Sequence, residues 1–150
     1  VTDVKGKEGT DSYKVSISYF GGYKATGQLT ISAPDAIEKA NLTADIIWSR
    51  LKSAGFSFDK QSTELLGISP LKYDIIDKNQ YENDIILRLG VKDNDYNNVK
   101  RFTQEIAPVI TSGPPGITGF SGGRPKVQEV VAYWPTLVPK ELINTKITVI

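Results

Sequence analysis

The residues best suited to chemistry lie between Gly113 and Pro125, in the run Gly-Pro-Pro-Gly-Ile-Thr-Gly-Phe-Ser-Gly-Gly-Arg-Pro. Backbone N–H groups freed from side-chain crowding can converge on an anion such as a phosphate or a carboxylate. Arg124 and Lys126 add positive charge beside them. Gly116, Gly119, Gly122, Gly123 and Arg124 are therefore candidate ligand-binding residues. The spacing matches neither a P-loop nor a dinucleotide fingerprint, and Gly113 follows a predicted helix instead of opening one. Two readings stand: a loop that grips a ligand, and a loop that packs against another polypeptide or subunit.

Other candidates are sparser. Ser69 and Lys72 pair a hydroxyl with an amine three residues on, and a desolvated lysine can serve as a base. Arg88 sits in a predicted strand and reads as a solvated or ion-paired sheet residue, with capture of a carboxylate as the alternative. Asp93 and Asp95 lie among Asn94, Asn97 and Asn98 but lack the position-6 glycine and distal glutamate of a calcium loop, so helix capping explains them. No metal site and no cofactor is implied.

Composition narrows the chemistry further. The 150 residues contain no histidine and no cysteine. This removes imidazole bases and ligands, Ser-His-Asp arrangements, thiolate nucleophiles and disulfides. Eighteen basic residues against seventeen acidic give a net charge of +1, too even to draw nucleic acid by overall charge. No apolar stretch reaches the roughly 18–20 residues that cross a bilayer, so no membrane role is expected. Asn41-Leu42-Thr43 fits a glycosylation acceptor but falls inside a predicted helix. With no methionine and a start at Val1, the chain is expected to be a fragment whose upstream polypeptide is a partner.

The elements that must position these residues follow from periodicity. Residues 1–12 read as a flexible leading segment and 13–150 as one α+β domain. Tyr13, Val15, Ile17 and Tyr19 alternate as one strand, Gly21-Gly22 is expected to turn a hairpin, and Tyr23 to Ser32 forms the second strand. Gly27 marks a bulge or a close backbone approach. Ser32-Ala33-Pro34-Asp35 is a helix start with a hydroxyl cap. The stripe Ile37, Ala40, Ala44, Ile47, Trp48, Leu51 follows, with a stop at Gly55. Further strands are expected at Glu64 to Ile68 and Asn83 to Lys92, with Tyr73 to Glu82 a polar excursion between them.

Asp95 caps a second helix with stripe Val99, Phe102, Ile106, Val109, Ile110, kinked at Pro108. Ser112 to Pro125, with five glycines and three prolines in fourteen residues, is too rich in both for a helix or central strand. Val127 to Trp134 resembles a strand limited by Pro135, and Leu142 to Ile150 is an expected edge strand. Trp48 reads as core and Trp134 as a candidate interface aromatic. The fold expected is an α+β two-layer sandwich, a mixed β-sheet with two main helices packed on one face.

The 113–125 run, followed by Gln128-Glu129-Val130-Val131 and Val138-Pro139-Lys140-Glu141-Leu142, resembles the carboxyl-terminal part of the acyclic terpene utilisation (AtuA-like) family. Lys14-Val15-Ser16-Ile17-Ser18-Tyr19, Gly22-Tyr23 and Gly27-Gln28 resemble the same family upstream. The sequence departs from it at Ser69, Pro70 and Lys72, where the family tends to place an amide, a hydroxyl and, after the leucine, a histidine. The resemblance implies a cytoplasmic protein of terpenoid or branched acyl breakdown, a route of coenzyme A thioesters, and supplies no reaction. It implies a binding surface, an oligomer contact within a homo-oligomer, or a lid for the upstream polypeptide. The alternative is a self-contained enzyme domain acting on a small acyl or anionic molecule through the glycine-rich loop and Arg124.

Overall fold

The structure, a computed structural model, describes residues 2–68, 83–119 and 123–148. Its elements are β1 (Ser12–Ile31), α1 (Ala36–Ser53), β2 (Lys60–Leu66), β3 (Ile85–Asp93), α2 (Tyr96–Glu105), α3 (Pro108–Ser112), β4 (Ile117–Gly119) and β5 (Gln128–Pro139). Among the described residues the sheet has five strands in the order β2-β3-β1-β4, with β5 paired to β1 off that path. The chain forms two compact units, Gly21–Val130 and a second that joins Val1–Phe20 to Val131–Ile150.

The larger unit is an α+β sandwich. Its antiparallel register sets Ala25, Gly27, Leu29 and Ile31 of β1 opposite Val91, Leu89, Leu87 and Ile85 of β3. The two period-2 patterns visible in the sequence are thus cross-strand partners on one face. That face shares a core with Ile37, Ala40, Ala44, Ile47 and Leu51 of α1 and with Val99 and Phe102 of α2. Trp48 lies at its margin, stacked on Phe102 with centroids 5.8 Å apart, and its indole N–H donates to Thr63 Oγ1 at 2.9 Å. Across the outer face Arg88 is ion-paired with Glu64 of β2, so it is the paired sheet residue and not a free anion receptor.

The expected hairpin is not formed. β1 runs on without a turn from Ser12 to Ile31, because its partners come from distant β3, β4 and β5. Gly22 is still required, since it takes φ +93° and a Cβ there would stand 2.8 Å from the Asp93 carbonyl oxygen. Close approach, and not a reversal of direction, explains the glycine. The start of α1 also differs from expectation. Asp35 is the N-cap at φ +59° without a side-chain bond to the helix, and the Ser32 hydroxyl is spent elsewhere.

Asp95 caps α2 as expected, its Oδ1 accepting from Asn97 N at 2.8 Å. Asp93 is likewise absorbed, accepting from the backbone N–H of Asp95 at 2.7 Å and of Asp59 at 3.3 Å. Pro108 ends α2 and opens α3 at its first turn, where its missing N–H costs nothing. Thr43 of the apparent glycosylation sequence is buried, its hydroxyl donating to Lys39 O at 2.6 Å.

In the smaller unit, Lys140 N donates to Asp11 O at 2.9 Å, and Ser16 Oγ and Tyr133 Oη share a hydrogen bond at 3.1 Å. These contacts run β5 antiparallel to the first half of β1. Contrary to expectation, Pro135 lies inside β5, which an edge strand tolerates. The segment after it is a 3-10 turn, Lys140–Leu142, and residues 143–148 are not a strand.

Candidate functional site

The glycine-rich segment is built into the sheet. Ile117 to Gly119 form β4, paired antiparallel to Ile31, Thr30 and Leu29 of β1. Gly116 makes the turn into it at φ +84°. Its carbonyl accepts from Ser32 N at 2.9 Å and from the Ser32 hydroxyl at 3.1 Å. A Cβ at Gly116 would strike that hydroxyl and reach the Lys39 ammonium. Within β4 successive amides point in opposite directions, so residues 117–119 do not converge on one anion. The expectation of a loop outside regular structure is corrected here: three of its residues find a pairing edge on β1, which composition alone could not foresee.

What the segment does form is the wall of a cleft of about 210 Å³. Gln28 and Leu29 of β1, Ile106, Ala107 and Ile110 at the α2–α3 junction, and Gly119, Gly123, Arg124 and Pro125 line it. The break at Pro108 is what presents the junction residues to the cleft. Gly27 lets that wall close, because a Cβ there would lie 2.8 Å from Ile106 Cδ1 and 3.3 Å from Pro125 Cγ. This is the close approach expected at Gly27. Gly27→Val should overpack this contact and cost about 1–3 kcal/mol in a urea melt, while displacing Ile106 from the cleft wall.

Three of the candidate residues, Gly119, Gly123 and Arg124, meet along this cleft, and Gly116 sits apart from it against Ser32. Gly122, Ser69 and Lys72 lie outside the described residues. Arg124 is exposed and makes no ion pair among the described residues, so its guanidinium is available at the rim of a largely apolar hollow. Of the polar residues in the described lining, Gln28 stands opposite Arg88 on the outer face of β1, away from Gly27 and Leu29, so Arg124 is the polar side chain that the cleft presents. An always-charged guanidinium binds anions well and exchanges protons poorly at neutral pH.

A larger hollow of about 500 Å³ is lined by Asn41 and residues 63–68, where the described chain stops. Glu64 in that lining is already held by Arg88. Among the described residues no group of three or more Asp or Glu side chains is placed to hold a metal ion. No helix there is long and apolar enough to cross a membrane.

Sequence reading missed Glu105. Its carboxylate is 2% exposed, accepts from Arg50 Nε of α1 at 2.8 Å and is also ion-paired with Arg101, one turn earlier on α2. The signal was present, since residue 105 follows Phe102 at the i+3 spacing of one helix face and stands four residues after Arg101. Its role in the structure is to tie α1 to α2.

Comparison with curated proteins and with solved structures gave no match. The family comparison did: the model for the acyclic terpene utilisation family protein AtuA matches residues 1–149, nearly the whole chain, and the chain belongs to that family.

Proposed function

We propose that this chain is a binding domain in terpenoid or branched acyl breakdown, holding a short acyl anion in the cleft beside its glycine-rich segment. The observation that carries this reading is the meeting of an apolar lining with a guanidinium that has no ion pair among the described residues. Leu29, Ile106, Ala107, Ile110 and Pro125 suit a branched hydrocarbon tail, and Arg124 suits a carboxylate at its end. The volume of about 210 Å³ lies below the ~300 Å³ at which drug-sized sites begin, which favours a small ligand. Arg124 orients such an anion and is not suited to abstract a proton from it.

Isothermal titration with 3-methylbutanoate tests this. Saturable binding is expected, weakened about tenfold in Arg124→Gln, the lower end of the ~1.5–3 kcal/mol of a hydrogen bond to a charged group because Arg124 is exposed. The uncharged 3-methylbutanamide should bind weakly to both proteins. Equal affinity of the parent and the variant for the carboxylate would overturn the assignment of Arg124. Absence of any saturable heat would overturn the cleft.

A further inference from the structure

The smaller unit carries a surface that the cleft does not explain. None of its described residues, 2–20 and 131–148, is buried. Yet its two strand segments, residues 12–20 and 131–139, expose eight large apolar side chains, at 42–73% each. Tyr13, Ile17, Tyr19 and Phe20 come from β1, and Tyr133 and Trp134 are the largest from β5. A two-stranded ribbon is marginal by itself and gains stability by covering a face. Apolar exposure concentrated in this way marks an interaction surface.

We infer that this ribbon is a self-association surface, whose occupant is the ribbon of a second copy of this chain packed face to face. Charge favours that occupant. Between Ser12 and Phe20 and between Val131 and Pro139 the one charged residue is Lys14. A second copy therefore meets no block of like charge, and an acidic or basic partner finds almost nothing to pair with. Area fits a weak association. Strand alternation divides the eight, with the Ser16–Tyr133 hydrogen bond on one face and Tyr13, Ile17, Tyr19 and Trp134 on the other, and those four offer on the order of 400 Å² per copy, the size of a transient, concentration-dependent interface. Edge-to-edge addition on β5 is disfavoured, because Pro135 and Pro139 carry no N–H for a further strand.

Sedimentation velocity of the chain from 1 to 200 µM tests the inference. A monomer–dimer equilibrium is expected that shifts at least tenfold toward monomer in Trp134→Glu. Leu42→Glu, an exposed position on α1, should leave the equilibrium unchanged. Far-ultraviolet circular dichroism checks that each variant is folded, and Tyr19→Glu, on the same face as Trp134, provides a second disruption should Trp134→Glu misfold. A parent chain that stays monomeric throughout would overturn the inference, including the case in which it captures lipid vesicles or a different polypeptide instead. So would a dimer that persists in both folded ribbon variants, or open-ended association.

Discussion

Phe102→Ala is expected to lower the stability of the chain by about 3–5 kcal/mol, read as a shift in the urea midpoint at unchanged slope. Phe102 is the largest fully buried side chain among the described residues, and it stacks on Trp48 with an interplanar angle of 16°. It also meets Phe58 edge-on at 6.3 Å. Deleting the ring removes its transfer free energy and leaves a void between α2, the margin of α1 and the β2 connection, where neighbours from three separate segments cannot all collapse inward. A loss of that size is a large share of the ~5–15 kcal/mol that holds a domain of ordinary stability. Quenching or a red shift of Trp48 emission in the folded variant would report the lost stack directly. A loss under 1 kcal/mol would mean that α1 and α2 do not share this core.

Glu105→Ala is expected to cost about 2–3 kcal/mol by the same measurement. Breaking a buried ion pair typically costs 3–5 kcal/mol, because one charge is left without a partner. Here the orphaned groups are Arg50 and Arg101, whose side chains are 50% and 33% exposed and can turn to water, so the lower value applies. Arg50→Ala alone should cost about 1 kcal/mol, since Glu105 keeps Arg101. Removing both arginines strands the carboxylate, and the double variant should lose more than the sum of the two singles. Simple additivity would show that the two arginines do not compete for one buried acceptor.

Much of this fold is legible in the sequence because burial writes its period into the chain. The stripes of α1 and α2 and the alternations of Ala25–Ile31 and Ile85–Val91 are of this kind. The family resemblance rested on the 113–125 run and the first strand, and the family match covers both. What failed was punctuation. Gly21-Gly22 and Pro135 read as stops, but both sit within strands. A glycine can be demanded by a neighbouring carbonyl, and a proline is tolerated wherever no partner needs its N–H. In the same way β4 was invisible, because its three residues become a strand only through the edge that β1 offers.

The candidate site was half legible. Glycine density located the segment, and the charge of Arg124 singled out its polar group. The apolar wall comes from Leu29 and Ile106, residues that look like any other core position until the break before Pro108 brings them to the surface of the same hollow. Glu105 shows the converse. It is a charged residue that reads as solvated by type but is buried by position, held there by partners 4 and 55 residues away.

The binding reading is tested most directly by the amide spectrum of ¹⁵N-labelled chain titrated with 3-methylbutanoate. Saturable shifts are predicted at Gln28, Leu29, Ile106, Gly119, Gly123 and Arg124, with β2 left undisturbed. A titration in which those six amides stay still while others move, or in which none moves, would contradict it.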